Sequence, residues 1–251
     1  MDKVTLTELT SPEVCELLSS GAVDTAVIAV GATEQHGLHL PLGTDGMLAQ
    51  ALGEAVARRL GRALMAPPIV VGRSEHHMAF AGSMTFRQET LGAVVADYVA
   101  SLARHGFKNV VIVASHGGNF RPLAAIAAEL RAANPQVNIV DYTDLDRFIG
   151  VCYAASGEFG VSPAVAGGHS GESETSLMLA LRPELVHMDR AAAGYVGDQE
   201  DLAPTLFAKG MAAISPNGVL GDPRPATAEK GRVYIDRLLD DIVAYVGPRL
   251  R

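Results

Sequence analysis

The sequence predicts an α/β fold: a three-layer α/β/α sandwich in which helices cover both faces of a mainly parallel sheet. One observation and one rule of sheet topology lead to this prediction. Short apolar runs of strand length alternate with longer segments in which apolar residues recur at helical spacing. Parallel strands need a crossover connection, and a helix usually provides it. No linker-like or repeated stretch interrupts the 251 residues, so we expect a single domain over residues 1–251.

The predicted strands are apolar runs within residues 25–31, 63–72, 108–119 and 137–144. The predicted helices carry capping or periodic signals, such as Pro12 at a first helical position and the four-residue steps of Leu48, Leu52 and Val56. They lie within residues 11–21, 46–61, 87–106, 121–135 and 226–246. The segment 151–168 is rich in Gly, Ala and Ser, and we expect it to be a loop or a lid.

Charge and composition exclude several classes of partner. The formal net charge is −8, so we expect neither duplex nucleic acid nor an anionic membrane to bind, because both attract basic surfaces. No apolar run approaches the roughly 20 residues that span a bilayer, and we expect no signal peptide. Cys15 and Cys152 form no motif. We expect both to be reduced, in a cytoplasmic protein.

Two polar clusters follow predicted buried strands. The first, "GATEQHGLHLPLGTD", holds Glu34, His36, His39 and Asp45 within twelve residues, and the second, "SHGGN", holds His116. In parallel sheets, ligands bind outside the carboxyl ends of the strands. We therefore expect the two clusters to converge at one edge of the sheet, although about 80 residues separate them in the sequence.

Carboxylates mixed with imidazoles favour Zn, Mn or Fe over Mg and Ca, which prefer oxygen ligands alone. Asp45 lies at the start of a predicted helix, where the helix dipole keeps its carboxylate ionised. If Asp45 bridges, two metal ions fit at the usual separation of about 3.5–4 Å. The alternative is that these side chains are ordinary loop residues with local hydrogen bonds.

A third cluster, "GGHSGESETSLMLAL", places His169, Glu172 and Glu174 within six residues at the start of another predicted helix. An acidic residue in a first helical turn is stabilised by the helix dipole and needs no further role. That explanation suffices for Glu174 alone, but it does not account for His169 and Glu172 beside it.

The three clusters together resemble the signature segments of the creatininase (creatinine amidohydrolase) family, in the family's order. The segments "SEHHMAFAGSMTF" and "NGVLGDP" resemble that family too, so the resemblance spans nearly the whole chain. It implies a compact α/β/α fold, a binuclear metal centre, a homohexamer, and hydrolysis of non-peptide C–N bonds, often in cyclic amides.

Residue by residue, the resemblance places Glu34, His36, Asp45 and His116 on metal-ligand positions, with Asp45 as the bridge. It places Glu174 on an acid of the same centre, and it relates His169 to substrate binding and proton transfer. The cofactors expected are two divalent ions, Zn and/or Mn, with Fe as an alternative.

The sequence also departs from the family pattern. Creatininases carry an aromatic residue and a glutamate where Gly117 and Gly118 stand here, so Glu174 or Glu172 would have to replace a ligand. Creatininases also close tryptophans over creatinine, and this chain has no Trp. Relatives with the Gly-Gly form act on formamide-type amides or trim peptides. We therefore expect a small-molecule amide other than creatinine, with His76, His77 or Arg73 lining a wider pocket.

The mechanism expected is attack on an amide carbonyl by a hydroxide that bridges the two metals. His169 or Glu172 is the candidate proton shuttle, and Glu172 is alternatively a ligand. Covalent catalysis is disfavoured, because Ser115 lacks a nucleophile-elbow motif and Cys152 lacks an activating neighbour. Two other functions stay open: a metal- or ligand-binding homologue without turnover, and a metal-dependent isomerase or lyase acting on a sugar-like substrate.

Overall fold

A computed structural model describes residues 3–198 and 202–251 of the chain. Its sheet has the strand order β2-β1-β3-β4, and neighbouring strands run parallel. The strands are β1 (Thr25–Val30), β2 (Ala63–Met65), β3 (Asn109–Ala114) and β4 (Asn138–Tyr142). Strands β1 and β3 pair along their whole length, from Thr25 opposite Asn109 to Val30 opposite Ala114.

The helices of the described residues are α1 (Ser11–Ser19), α2 (Thr44–Leu60), α3 (Gln88–Arg104), α4 (Gly117–Ala133), α5 (Leu145–Gly157), α6 (Pro163–Ala166), α7 (Glu172–Leu181), α8 (Leu202–Lys209) and α9 (Ala228–Val246). No helix among these residues is long and apolar enough to cross a membrane. Helix α9 shows why such segments fold: Thr227 caps its first turn, and Tyr234, Leu238 and Ile242 bury one face at four-residue spacing.

The core lies on both faces of the sheet, because alternate strand residues point to opposite sides. Val27, Val111 and Val113 pack with residues of α2, α5, α7 and α9 on one face. Ile28 and Ile112 pack with residues of α3 and α4 on the other. Both faces of β1 and β3 are buried, as expected for parallel strands between helices. The predicted three-layer α/β/α fold is therefore confirmed.

The prediction of a loop or lid over residues 151–168 is wrong for residues 151–157, which belong to α5, and for Pro163–Ala166, which form α6. Helix α5 continues to Gly157, and Asp144 caps its start by accepting a hydrogen bond from the backbone N–H of Arg147 at 3.0 Å. The small residues Ala155 and Ser156 are buried on the face that packs against the core. Their size permits close packing here, where we had expected it to indicate irregular structure.

The carboxyl ends of β1 and β3 meet the first turn of α2. A Cβ atom on Gly31 would lie 2.5 Å from the backbone oxygen of Asp45, so only glycine allows this approach. The hydroxyl of Ser115 donates to the same oxygen at 2.9 Å. The residues that follow both strands are thereby held against the segment that carries Asp45.

Candidate metal centre

The two carboxylate oxygens of Asp45 face two different groups of side chains. Oδ1 lies 3.4 Å from Nε2 of His36, and Oδ2 lies 3.2 Å from Nδ1 of His116. Asp45 is buried in the first turn of α2. The two polar clusters predicted to converge from β1 and β3 therefore meet at this one carboxylate.

Two sets of potential metal ligands share Asp45. One consists of His36, Asp45 and Glu174, and the other of Glu34, Asp45 and His116. Nε2 of His36 lies 3.6 Å from Oε2 of Glu174, and the two oxygens of Asp45 lie 3.4 Å from His36 and 3.2 Å from His116. With metal–ligand bonds of about 2.1 Å, neighbouring ligands of a tetrahedral site lie about 3.4 Å apart. The observed separations match that spacing.

The two histidines of these sets are held by backbone carbonyl groups. Nδ1 of His36 donates to the backbone oxygen of Glu34 at 3.1 Å, which leaves Nε2 to face Asp45 and Glu174. Nε2 of His116 donates to the backbone oxygen of Arg73 at 3.1 Å, which leaves Nδ1 towards Asp45. Histidines that bind metals commonly donate their other ring N–H in this way, which fixes the tautomer.

Several buried atoms of the centre make no hydrogen bond, although oppositely polar atoms lie nearby. They are Oε1 and Oε2 of Glu34, Nε2 of His36 and Oδ2 of Asp45. Each is buried, where an unsatisfied polar group is costly, and with His36 deprotonated each offers a lone pair. Donor atoms that lie close together without hydrogen bonds between them can be satisfied by one cation that they share. This donor set therefore fits a divalent transition metal.

The pKa shifts show how strongly these groups depend on one another. Burial raises the pKa of Glu34 to about 7. Burial would lower the pKa of His36, but Asp45, Glu174 and Glu34 outweigh it and raise the pKa to about 10. Glu34 and Asp45 similarly raise the pKa of His116 to about 9 against the effect of burial. Burial would raise the pKa of Asp45, but the two histidines hold it well below its usual range. A divalent cation can take the place of the two protons and satisfy the same carboxylates.

Glu174 approaches the centre from α7. The backbone N–H of Ser170 donates to its Oε2 at 2.6 Å, the oxygen that faces His36. Ser170 has a φ of 55°, in the left-handed region that costs free energy for residues other than glycine. The strained turn therefore orients Glu174 towards the other ligand candidates.

His169 lies beside the same centre. Its Nε2 donates to the backbone oxygen of Gln35 at 2.8 Å, and its Nδ1 lies 3.6 Å from Oε1 of Glu34. Burial lowers the pKa of His169 well below its ordinary value, so the ring is neutral at neutral pH. A neutral imidazole at the edge of a cavity can accept a proton from one group and return it to another.

Glu172 lies outside this arrangement, and its predicted role in acid–base catalysis or metal binding has no support in the structure. Its carboxylate accepts hydrogen bonds from Ser176 at 2.8 Å and from Tyr234 at 3.1 Å. Nζ of Lys230 lies 3.3 Å away. Glu172 therefore holds α7 against α9, on the far side of α7 from the centre.

The other histidines occupy distinct places. His77 lies 3.1 Å from Oε1 of Glu34 through its Nε2, and His76 stacks on His116 with ring centroids 5.8 Å apart. Both line a cavity beside the centre, as the sequence predicts for this loop. His39 is hydrogen-bonded to the hydroxyl of Thr175 at 2.8 Å and belongs to neither ligand set.

The cavity beside the centre is largely apolar. Its volume is about 180 Å³, and Gly117, Gly118, His169 and Glu174 lie on its polar side. Aliphatic and aromatic residues of α5 and α8 also line it: Leu145, Phe148, Ile149, Tyr153, Leu202, Leu206 and Phe207. The sequence does not mark these residues as pocket-forming, because helical periodicity alone cannot separate a pocket wall from a core face.

Asn119 organises the loops around the centre, which its position in "SHGGN" does not reveal. Its side-chain amide donates to the backbone oxygen of Gly31 at 2.9 Å. Its side-chain oxygen accepts the backbone N–H of Arg73, also at 2.9 Å. The segments after β1 and before His76 are thereby fixed to the first turn of α4.

The family model described as "Creatinine amidohydrolase" (Creatininase) matches residues 7–246 of the chain. A "Mycofactocin precursor peptide peptidase" of Mycobacterium ulcerans (strain Agy99) is 38% identical over 228 residues, which are 88% of this chain and 83% of that protein. A "Creatinine amidohydrolase" of Pseudomonas putida is 30% identical over 224 residues, 84% of each chain.

Solved structures give the same result. A structure titled "Creatininase Mn" superposes with a TM-score of 0.80 and 27% identity, and the match covers 99% of both chains. A mutant creatininase described as "Zn-Zn type" superposes with a TM-score of 0.80 and 28% identity, covering 99% of this chain and 98% of that one.

Proposed function

The chain belongs to the creatininase family of metal-dependent amidohydrolases, and we propose that it hydrolyses an amide bond of a peptide substrate at a two-metal centre. The proposed ligands are Glu34, His36, Asp45, His116 and Glu174. One observation carries the proposal: Asp45 presents one oxygen to His36 and the other to His116, as a bridging carboxylate would.

The metals proposed are Zn and/or Mn, with Fe as an alternative. Two imidazole nitrogens together with carboxylate oxygens suit these ions. The names of two similar structures mention Mn and Zn. Such ions, when bound, polarise a carbonyl group and lower the pKa of water towards about 7.

His169 is the proposed proton carrier. Its Nδ1 faces Glu34 and the cavity, while Nε2 is tied to the backbone oxygen of Gln35. In this position it can accept a proton from the attacking water and deliver it to the departing nitrogen. The buried carboxylates and histidines around it exclude bulk water, which strengthens each electrostatic contact.

The apolar cavity supports a peptide substrate. Its volume of about 180 Å³ is below the roughly 300–1,000 Å³ of pockets that enclose a drug-sized ligand. A cavity of this size suits one or two apolar side chains, while the rest of a peptide lies outside. The similar protein from M. ulcerans is named for action on a precursor peptide.

A cyclic amide or a formamide-type bond is the second candidate, as expected from the sequence. The match to the creatinine amidohydrolase of P. putida over 84% of the chain favours it. Creatinine itself is a poor candidate, because the chain has no Trp to stack on a small planar ring.

Steady-state kinetics on a panel of amides test the proposal. The protein is reconstituted separately with Zn, Mn and Fe, then assayed with short peptides ending in apolar residues, an N-formyl amine and creatinine. We expect the highest kcat/KM for a peptide, and loss of turnover on chelation. Two bound metals without hydrolysis of any amide would support a binding protein instead. Conversion of a sugar-like substrate without release of an amine or formate would support an isomerase or lyase.

Assembly as a homohexamer and a cytoplasmic location are also proposed, for a single domain over residues 1–251. Five apolar side chains, Leu38, Leu42, Val70, Met78 and Met84, are exposed and are available for contact with a second copy. Cys15 and Cys152 are both free, which suits a reducing compartment. Light scattering coupled to size-exclusion chromatography tests the assembly: a mass near six chains supports it, and a monomer contradicts it.

A further inference from the structure

Gln35 stands between the two proposed ligands Glu34 and His36, yet its own side chain turns away from the metal ligands. Its side-chain nitrogen contacts Nδ1 of His77 at 2.9 Å and Nε2 of His169 at 3.0 Å. These two rings lie beside Oε1 of Glu34. One buried amide thus touches two of the histidines that line the cavity.

Two backbone groups settle which end of the amide is nitrogen. The side-chain oxygen of Gln35 accepts the N–H of Gly37 at 2.9 Å, and the side-chain nitrogen donates to the backbone oxygen of Gly218 at 3.1 Å. A flipped amide would set two donors against each other at Gly37 and two acceptors at Gly218. The orientation of the amide is therefore fixed by partners whose polarity cannot change.

The proton on His169 follows from a third backbone group. Nε2 of His169 lies 2.8 Å from the backbone oxygen of Gln35, which can only accept. His169 therefore carries a proton on Nε2, and this nitrogen cannot accept a bond from the side-chain amide. Its Nδ1 is left facing Oε1 of Glu34.

The proton on His77 follows from the same count. The amide nitrogen of Gln35 has two hydrogens, one given to Gly218 and one left for Nδ1 of His77. Nδ1 of His77 is therefore an acceptor, and the neutral ring carries its proton on Nε2, 3.1 Å from Oε1 of Glu34. A protonated Nε2 cannot bind a metal, although His77, His76 and Glu34 are close enough to form a ligand set.

We infer that Gln35 is a positioning residue: its side chain fixes the proton of His77 on Nε2, the nitrogen nearest Glu34, and its backbone oxygen fixes His169 with an unprotonated Nδ1. The inference deepens the proposed function, because it assigns opposite polarities to His77 and His169, two of the histidines that line the cavity. It also excludes His77 from the metal ligands. Only glycine fits at position 218 beside this side chain, since a Cβ atom there would lie 2.0 Å from Oε1 of Gln35.

Nitrogen-15 NMR of histidine-labelled, zinc-reconstituted protein tests the inference without any substrate. Protonated and unprotonated ring nitrogens resonate in separate regions, and the signals of His77 and His169 are assigned from their loss in His77→Gln and His169→Gln. The variant Gln35→Glu keeps the shape of the side chain but has no N–H to donate. Ser83→Ala is the matched control, because the Ser83 hydroxyl accepts the backbone N–H of Gln35 and is not bonded to the Gln35 side chain.

We expect both rings to be protonated on Nε2 in the natural protein. In Gln35→Glu the proton of His77 moves to Nδ1, while His169 is unchanged because its backbone partner remains. On the panel member with the highest kcat/KM, kcat falls about 10–100-fold, with little change in KM, as for other residues that orient a metal site. Ser83→Ala keeps the natural tautomers and kcat.

A proton on Nδ1 of His77 in the natural protein would overturn the inference. So would a Gln35→Glu variant whose histidine tautomers and kcat equal those of the natural protein. If Gln35→Glu does not fold, Gln35→Met tests the same inference. It removes the N–H donor without adding charge, so His77 should be a mixture of the two tautomers. A natural spectrum in Gln35→Met would equally overturn the inference. Failure of hydrolysis alone, with the expected tautomers present, would count against the proposed function and not against the role of Gln35.

Discussion

Nδ1 of His116 lies 3.2 Å from Oδ2 of Asp45, although His116 follows β3 and Asp45 lies in the first turn of the helix that follows β1. The other oxygen of Asp45 lies 3.4 Å from His36. One carboxylate therefore joins two ligand sets that come from different parts of the chain, and the predicted sheet edge is where they meet.

Replacement of Asp45 by Asn should remove both metals. The amide keeps the size of the side chain but cannot supply a charged oxygen to each set. Apparent metal affinity should fall by more than the roughly 10–100-fold that follows loss of an outer-shell partner. Elemental analysis of the purified variant measures the effect. Asp240→Asn is the control, because Asp240 is an exposed partner of Arg59. Two metals retained in Asp45→Asn would remove Asp45 from the centre.

Alanine should lower the metal content when it replaces Gly118 but not when it replaces the adjacent Gly117. A Cβ atom on Gly118 would lie 2.2 Å from the backbone oxygen of Arg73 and 2.5 Å from Nε2 of His116, whereas one on Gly117 would meet nothing within 4 Å. Gly118→Ala should displace His116 and lower metal content. Gly117→Ala should keep the metals and gain up to about 1 kcal/mol of stability, since alanine is favoured over glycine in helices. Metal analysis and thermal unfolding distinguish the two; equal metal content in both variants would refute the argument.

Replacing Glu172 should lower stability without loss of metal, whereas replacing Glu174 should cause loss of metal. Glu172→Gln removes the charge opposite Lys230 and weakens the bond to Tyr234, so the free energy of unfolding should fall by about 1–3 kcal/mol. Its metal content should stay at the natural level. Glu174→Gln should lose metal with a smaller change in unfolding. Denaturant titration of the metal-free proteins and metal analysis of the purified variants measure the two effects. Loss of metal in Glu172→Gln would show that Glu172 contributes to metal binding.

The metal-free protein should lose stability as the pH rises above neutrality. The pKa values of His36 and His116 are raised in the folded protein to about 10 and about 9, from an ordinary value of 6.5. Their stabilising protons are bound in full below pH 6.5 and are lost as the pH rises through 9 to 10. One pKa unit corresponds to about 1.4 kcal/mol, so the fall should exceed that amount.

Chemical denaturation of the metal-free protein between pH 6.5 and 10 measures this loss of stability. In His36→Gln the alkaline fall should be smaller, because one of the two protons is no longer there to lose. Metal binding should also release protons and tighten as the pH rises, since the metal replaces them. Stability that stays level across this range in the natural protein would contradict the assignment.

Much of the fold follows from periodicity, and the exceptions have physical causes. The apolar runs of β1, β3 and β4 and the faces of α2, α3 and α9 lie where they were predicted. The run 63–72 forms a continuous strand only over Ala63–Met65, because Pro67 and Pro68 have no N–H for the ladder, and pairing resumes in a single bridge between Ile69 and Val30. Helix α5 was missed because its buried face includes small residues, which resemble a loop in composition.

The site was predictable as far as topology determines it. Parallel strands bring Glu34, His36 and His116 to one edge, so their convergence with Asp45 needs no side-chain detail. Glu172 shows where cluster arguments fail: residues two apart in a helix point about 200° apart, so Glu172 and Glu174 cannot face the same centre. The role inferred for Gln35 depends on contacts with distant residues such as Gly218, which no local pattern reveals.

The most direct measurement of the central claim is a crystal structure of metal-reconstituted protein, with each ion identified by anomalous scattering at its absorption edge. We predict two ions per chain, one bound by His36, Asp45 and Glu174 and the other by Glu34, Asp45 and His116, at about 2.0–2.3 Å from their ligand atoms. His77 should lie outside both coordination shells. A single ion that does not contact Asp45, or ions bound elsewhere in the chain, would contradict the account.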